Sequence, residues 1–142
     1  MALVYFDSSA FVKLLVEESG SELAAELWDA ADAILSSRLA YPEVCAALAA
    51  AARAGRVDRT SERAAQRSWW TFWLAARPVE LTAEVAQRAG ELARRYGLGG
   101  ADAVHLSSAL ALDDPTLVVV AWDERLRFGV TAAGFALAPA SM

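Results

Sequence analysis

The sequence predicts an α/β fold, a three-layer α/β/α sandwich with a central, mostly parallel sheet. Two observations carry that expectation. Short apolar runs rich in strand-forming residues occur at 2–6, 33–36 and 117–121, and the stretches between them are long, periodic and rich in helix formers. Strands that alternate with helices build a parallel sheet covered on both faces.

Taken in order, residues 2–6 read as a buried strand that stops on Asp7. Ser8 or Ser9 is then placed to cap a helix carrying Phe11, Leu14 and Leu15, running to about Glu18. Ser19-Gly20-Ser21 breaks that helix, and another runs from Ser21 through Trp28 to Ala30. Ala33–Ser36 is the second strand. Leu39–Ala54 is an alanine-rich helix with Pro42 in its first turn, where proline is tolerated, and Gly55 ends it. Arg59–Ala76 is helical and closed by Arg77-Pro78, with Val79–Leu81 a short strand or extended link. Thr82 caps a helix from Ala83 to Tyr96. After Gly97-Leu98-Gly99-Gly100 a helix runs from Ala101 or Asp102 to Leu112. Leu117–Ala121 is the clearest buried strand. A short helix at Glu124–Phe128 and an apolar strand at Phe135–Leu137 follow. No repeat, low-complexity segment or linker interrupts residues 1–142, so one domain is expected.

Composition narrows the function. Hydrophobic residues make up 56% and charged residues 22%, the balance of a packed globule and not of a disordered chain. No apolar run is long enough to cross a bilayer, and the start lacks the features of a secretory signal, so no membrane partner and a cytoplasmic location are expected. Cys45 and His105 are each the only residue of their kind, which argues against a disulfide framework, a thiolate cage or a zinc site built on imidazole and thiolate. The net charge of -5 opposes loose, charge-driven binding of nucleic acid over the whole surface, while leaving room for a local basic path.

In an open parallel sheet, ligands bind at the carboxyl ends of the strands. Asp7 ends the first strand, and Asp123 follows the Leu117–Ala121 strand. Glu43 and Asp102 lie in the first turns of helices that begin at the same edge. Any one of these acids is explained by helix capping and the helix dipole. Four together, without cationic partners, would repel one another and raise each other's pKa values. Such a set is consistent with a divalent cation, and all-oxygen donors select Mg²⁺ or Mn²⁺. A cation so held lowers the pKa of a bound water, orients it toward phosphorus and offsets transition-state charge.

The segments DSSAFVKLLVEE, YPEVCAAL (Tyr41–Leu48), GGADAVHLSSAL (Gly99–Leu110) and WDERL (Trp122–Leu126) resemble, in order, the motifs of PIN-domain nucleases. The nearest likeness is to the toxin of VapBC-type toxin–antitoxin pairs, with DAxHLxxAL the most specific piece. The resemblance implies a single PIN domain over 1–142 and Mg²⁺- or Mn²⁺-dependent cleavage of RNA. It also implies an antitoxin partner that covers the acidic cleft and can insert an arginine among the carboxylates, and a homodimer. By position, Asp7, Glu43, Asp102 and Asp123 become the catalytic, metal-binding quartet. Asp7 and Asp102 are the foremost direct ligands. Glu43 binds directly, binds through water, or helps deprotonate the nucleophile. Ser9 matches the small polar residue that orients a carboxylate, although capping the helix is the simpler role for it. One departure stands out: Ala121 occupies the place where the family has Thr or Ser, two residues before the fourth acid.

Lys13 and Arg38 are candidate phosphate contacts. His105, on the Asp102 face of its helix, reads as a structural histidine, and Cys45 as a small buried apolar residue. Trp69, Trp70 and Trp73 with Arg77 could stack bases, but a core or dimer-interface stripe explains them better. Two rivals are weighed against the nuclease. A receiver-type or aspartyl phosphotransferase domain would want a second Asp near Asp7 or a late lysine, and neither is present. A binding module that keeps the fold without catalysis has only Ala121 in its favour.

Overall fold

The computed structural model describes all residues from Met1 to Met142. Five strands form one all-parallel sheet in the order β3-β2-β1-β4-β5. They are β1 (Leu3–Phe6), β2 (Ala33–Ser37), β3 (Arg77–Val79), β4 (Val118–Val120) and β5 (Ala136–Ala138). Seven helices connect them: α1 (Ser8–Leu15), α2 (Ser21–Ala30), α3 (Ala40–Arg53), α4 (Arg59–Ala75), α5 (Ala83–Tyr96), α6 (Gly100–Ala111) and α7 (Glu124–Ala132). The predicted three-layer sandwich is the fold observed.

The period-two alternation of β1 divides the core. Tyr5 points to one face, where it joins Leu35, Val119 and the buried sides of α5, α6 and α7. Val4 and Phe6 point to the other, against Phe11 of α1, Val44 and Leu48 of α3, and Trp69 and Trp73 of α4. Trp69 is fully buried, lies 4.7 Å from Phe11 between ring centres with the rings tilted, and donates its indole N–H to the Tyr41 carbonyl. The core reading of the tryptophan segment therefore holds for Trp69 and Trp73. Trp70, 51% exposed, turns outward beside Tyr41.

Several boundaries differ from the sequence expectation for identifiable reasons. Asp7, not Ser8 or Ser9, caps α1: its backbone is extended and its Oδ1 accepts the Ala10 N–H. The helix stops at Leu15 rather than near Glu18, because Ser21 Oγ donates to the Val16 carbonyl and accepts the Glu18 N–H, folding the chain back early. The third strand is Arg77–Val79, upstream of the expected Val79–Leu81. It lies at the sheet edge, where Pro78 loses no ladder bond that a central strand would need. The helix after Asp123 runs on to Ala132, with Leu126 and Val130 buried one turn apart. No helix is long and apolar enough to cross a membrane.

The chain leaves β1 for β2 and β3 on one side and returns to β4 on the other. The switch point in strand order therefore lies between β1 and β4. Asp7 and Asp123 flank it.

Candidate active site

At the switch point the Asp7 N–H bonds the Val120 carbonyl at 3.2 Å, joining the ends of β1 and β4. The Asp7 side chain is buried, and its Oδ1 takes two donors, the Ser9 hydroxyl at 2.7 Å and the Ala10 N–H at 2.9 Å. Its second oxygen is bonded to no protein group. Burial pushes the Asp7 carboxyl up to about 6, against the opposing influence of His105, Ser9 and Ala10. Ser9 thus orients a carboxylate. It also accepts the Trp122 N–H at 3.0 Å, so one hydroxyl links Asp7 to the segment that carries Asp123.

Glu43 stands in the first turn of α3, half-buried. Its Oε1 accepts the Ser8 hydroxyl at 2.6 Å and lies 2.6 Å from His105 Nε2. Burial works to raise its pKa, but the bonds from His105 and Ser8 outweigh burial and hold it below the usual value. Asp102, in the first turn of α6, accepts no hydrogen bond. Burial raises its carboxyl, and the negative charge of Asp123 raises it further. Asp123 is exposed and caps α7 through a 2.9 Å bond from the Leu126 N–H. That cap orients Asp123 without a hydroxyl at Ala121, which is buried.

The fold brings all four acids to one edge, and their charges act on one another: Asp7 feels Glu43, and Asp102 feels Asp123 and Glu43. They are not gathered into a ready ligand cage. No three His, Cys, Asp or Glu side chains stand close enough to hold an ion together. No lysine or arginine forms an ion pair with any of the four. A set of hard oxygen donors that repel one another, one of them buried with a spare oxygen, suits a divalent cation in its chemistry.

The candidate phosphate contacts are otherwise engaged. Lys13 pairs with Glu18 at 3.1 Å and lies over the Trp122 ring. Arg38 makes two bonds to Glu80, at 2.9 and 2.6 Å, and lies over Trp73.

Comparison with known sequences decides the family: the profile of the PIN domain matches residues 4–128. The chain belongs to the PIN domain family. Over 142 residues this PIN protein is 63% identical to "Ribonuclease VapC45" of Mycobacterium tuberculosis, covering 100% of this chain and 99% of that one. Among solved structures it is similar to M. tuberculosis VapC20, described as a sarcin-ricin loop cleaving toxin, with TM-score 0.70, 18% identity and coverage of 94% and 96% of the two chains. It is also similar to VapBC2 from Rickettsia felis bound to a DNA fragment from its promoter, with TM-score 0.64, 15% identity and coverage of 95% and 96%. The last two likenesses speak for the fold.

Two side chains of this PIN site stand outside the sequence-predicted set. Ser8 is bonded to Glu43 rather than capping the helix, and His105 is buried against Glu43 and Tyr5. The sequence signals for them are the place of His105 in the DAxHLxxAL pattern, three residues after Asp102, and the place of Ser8 beside Asp7.

Proposed function

We propose that this chain is a metal-dependent endoribonuclease and the toxin of a toxin–antitoxin pair. One observation carries the reading. Four carboxylates stand at the switch-point edge of a PIN fold, none in an ion pair with a lysine or arginine, in a chain that matches a ribonuclease VapC along its whole length.

Asp7 and Asp102 are the foremost ligands for Mg²⁺ or Mn²⁺, with Asp123 and Glu43 completing the quartet. A cation held there supplies an activated water and offsets charge on the scissile phosphate. Ser9 holds Asp7 Oδ1 and so leaves the second oxygen free to bind the cation. Glu43, with Oε1 occupied by two donors, has Oε2 left to bind or to take a proton from the attacking water. Lys13, over the Trp122 ring, is a candidate to meet an RNA phosphate after parting from Glu18, and Arg38 after parting from Glu80.

An antitoxin covering the acidic edge and a homodimeric toxin complete the proposal. The partner is supported by the likeness to VapC proteins, one of which is seen in a VapBC assembly. The test is incubation of the purified protein with total cellular RNA in Mg²⁺ or Mn²⁺ and in EDTA. Discrete fragments in the metal lanes alone are expected. Cleavage that persists in EDTA contradicts the mechanism, and intact RNA in every lane favours the non-catalytic binding module.

A further inference from the structure

The carboxylates of the site are carried by three separate parts of the chain on this side of the switch point: the β1–α1 corner (Asp7), α3 (Glu43) and α6 (Asp102). Their like charges push these parts away from one another. A continuous line of buried hydrogen bonds runs through the same three parts. The Ser37 N–H donates to Tyr5 Oη at 3.1 Å, Tyr5 Oη meets His105 Nδ1 at 2.8 Å, and His105 Nε2 meets Glu43 Oε1 at 2.6 Å. Tyr5 is wholly buried and His105 nearly so, and their rings meet edge to face at 5.9 Å. An ionised Glu43 can only accept, so the Nε2 facing its Oε1 at 2.6 Å carries a ring N–H, and in the neutral imidazole Nδ1 is then left to accept the Tyr5 proton. Ser8, one residue past Asp7, donates to the same Glu43 oxygen and stands 3.3 Å from His105 Nε2.

We propose that Tyr5 and His105 form a buried clamp that positions Glu43. The clamp fixes which Glu43 oxygen faces the site, and it ties β1, α3 and α6 together before a cation arrives. Tyr5 and His105 are positioning residues: neither is placed to touch RNA. Their counterparts elsewhere are the outer groups that hold the ligands of metal sites, whose loss commonly costs about 10- to 100-fold in metal affinity or activity.

The inference rests on the metal-nuclease reading of Glu43, and the experiment separates the two. Wild type, H105L, H105Q and Y5F are compared by Mg²⁺-induced thermal shift without RNA and by kcat and KM for RNA cleavage. Glutamine can place an N–H where Nε2 stands, whereas leucine fills the space without a donor. In H105L the Mg²⁺ midpoint of the thermal shift is expected to rise about 10-fold or more, and kcat to fall by a similar factor with KM for RNA little changed. H105Q is expected to recover most of both, and Y5F to fall between wild type and H105L. A wild type that neither binds nor needs Mg²⁺ defeats the metal-nuclease reading and the clamp with it. A Mg²⁺-dependent wild type matched by H105L in midpoint and kcat defeats the clamp alone, as does an H105Q as impaired as H105L. Should H105L fail to fold at room temperature, Y5F replaces it, and a Y5F midpoint equal to that of wild type overturns the proposal.

Discussion

Replacing Asp7 with asparagine should stabilise the metal-free protein at neutral pH, although it removes a central group of the proposed site. In the fold the Asp7 carboxyl titrates at about 6 against an ordinary 3.8, because burial disfavours its charged form. A rise of that size is worth about 3 kcal/mol of destabilisation at pH 7. Asparagine keeps an oxygen for the Ser9 and Ala10 donors, but bonds to a neutral amide are weaker, which returns about 1 kcal/mol. The net gain is about 2 kcal/mol, or about 6 °C in melting temperature for a chain of this length. The sign follows from proton binding. The folded carboxyl holds its proton to higher pH than the unfolded one, so the stability it contributes is fully present below roughly pH 4. That stability is lost as the pH rises through about 6. Melts of both proteins in EDTA across this range should show Asp7→Asn ahead at pH 7 and the gap closing near pH 4. Equal stability at pH 7, or a gap unaffected by pH, would refute the claim that Asp7 is held as a strained, buried acid.

Other perturbations probe the surroundings of the site. Ser9→Ala removes a donor to Asp7 and the acceptor of the Trp122 N–H, and should cost about 1–3 kcal/mol in urea unfolding and about 10-fold or more in cleavage. Gly20→Ala meets a left-handed backbone at φ 94° and a Cβ position 2.9 Å from the Trp122 ring, so a lower melting temperature and altered Trp122 fluorescence are expected. Arg38→Gln breaks an exposed pair with Glu80, and it should leave the melting temperature unchanged while raising KM for RNA at low salt.

Sequence periodicity was a reliable guide where elements are long or strongly apolar. The Leu3–Phe6 and Ala33–Ser37 strands fall within a residue of where it puts them, and the helix from Ala83 to Tyr96 falls on it, because burial on one or both faces leaves its period in the residues. The strand at Arg77–Val79 was misplaced because a three-residue edge strand has no period to read, and Arg77-Pro78 looks like a helix stop. The four acids could be assigned to one edge because strand ends and first helical turns are marked locally. What they bond could not be read. Ser8 with Glu43 and Tyr5 with His105 are pairs separated by 35 and 100 residues, set by how α3 and α6 lean on the sheet. The capping of α1 by Asp7 was obscured by two serines that are equally good caps on local grounds. Their hydroxyls instead serve Glu43, Asp7 and Trp122.

The proposed function requires that carboxylates at the β1–β4 switch point cleave RNA with a divalent cation. Single-turnover cleavage of one defined RNA in Mg²⁺ by wild type, Asp7→Asn and Asp102→Asn, each at full folded fraction, tests it most directly. Loss of a ligand worth several kcal/mol of transition-state stabilisation predicts a fall of more than about a hundredfold in both variants. Cleavage by Asp7→Asn at the wild-type rate would contradict the account.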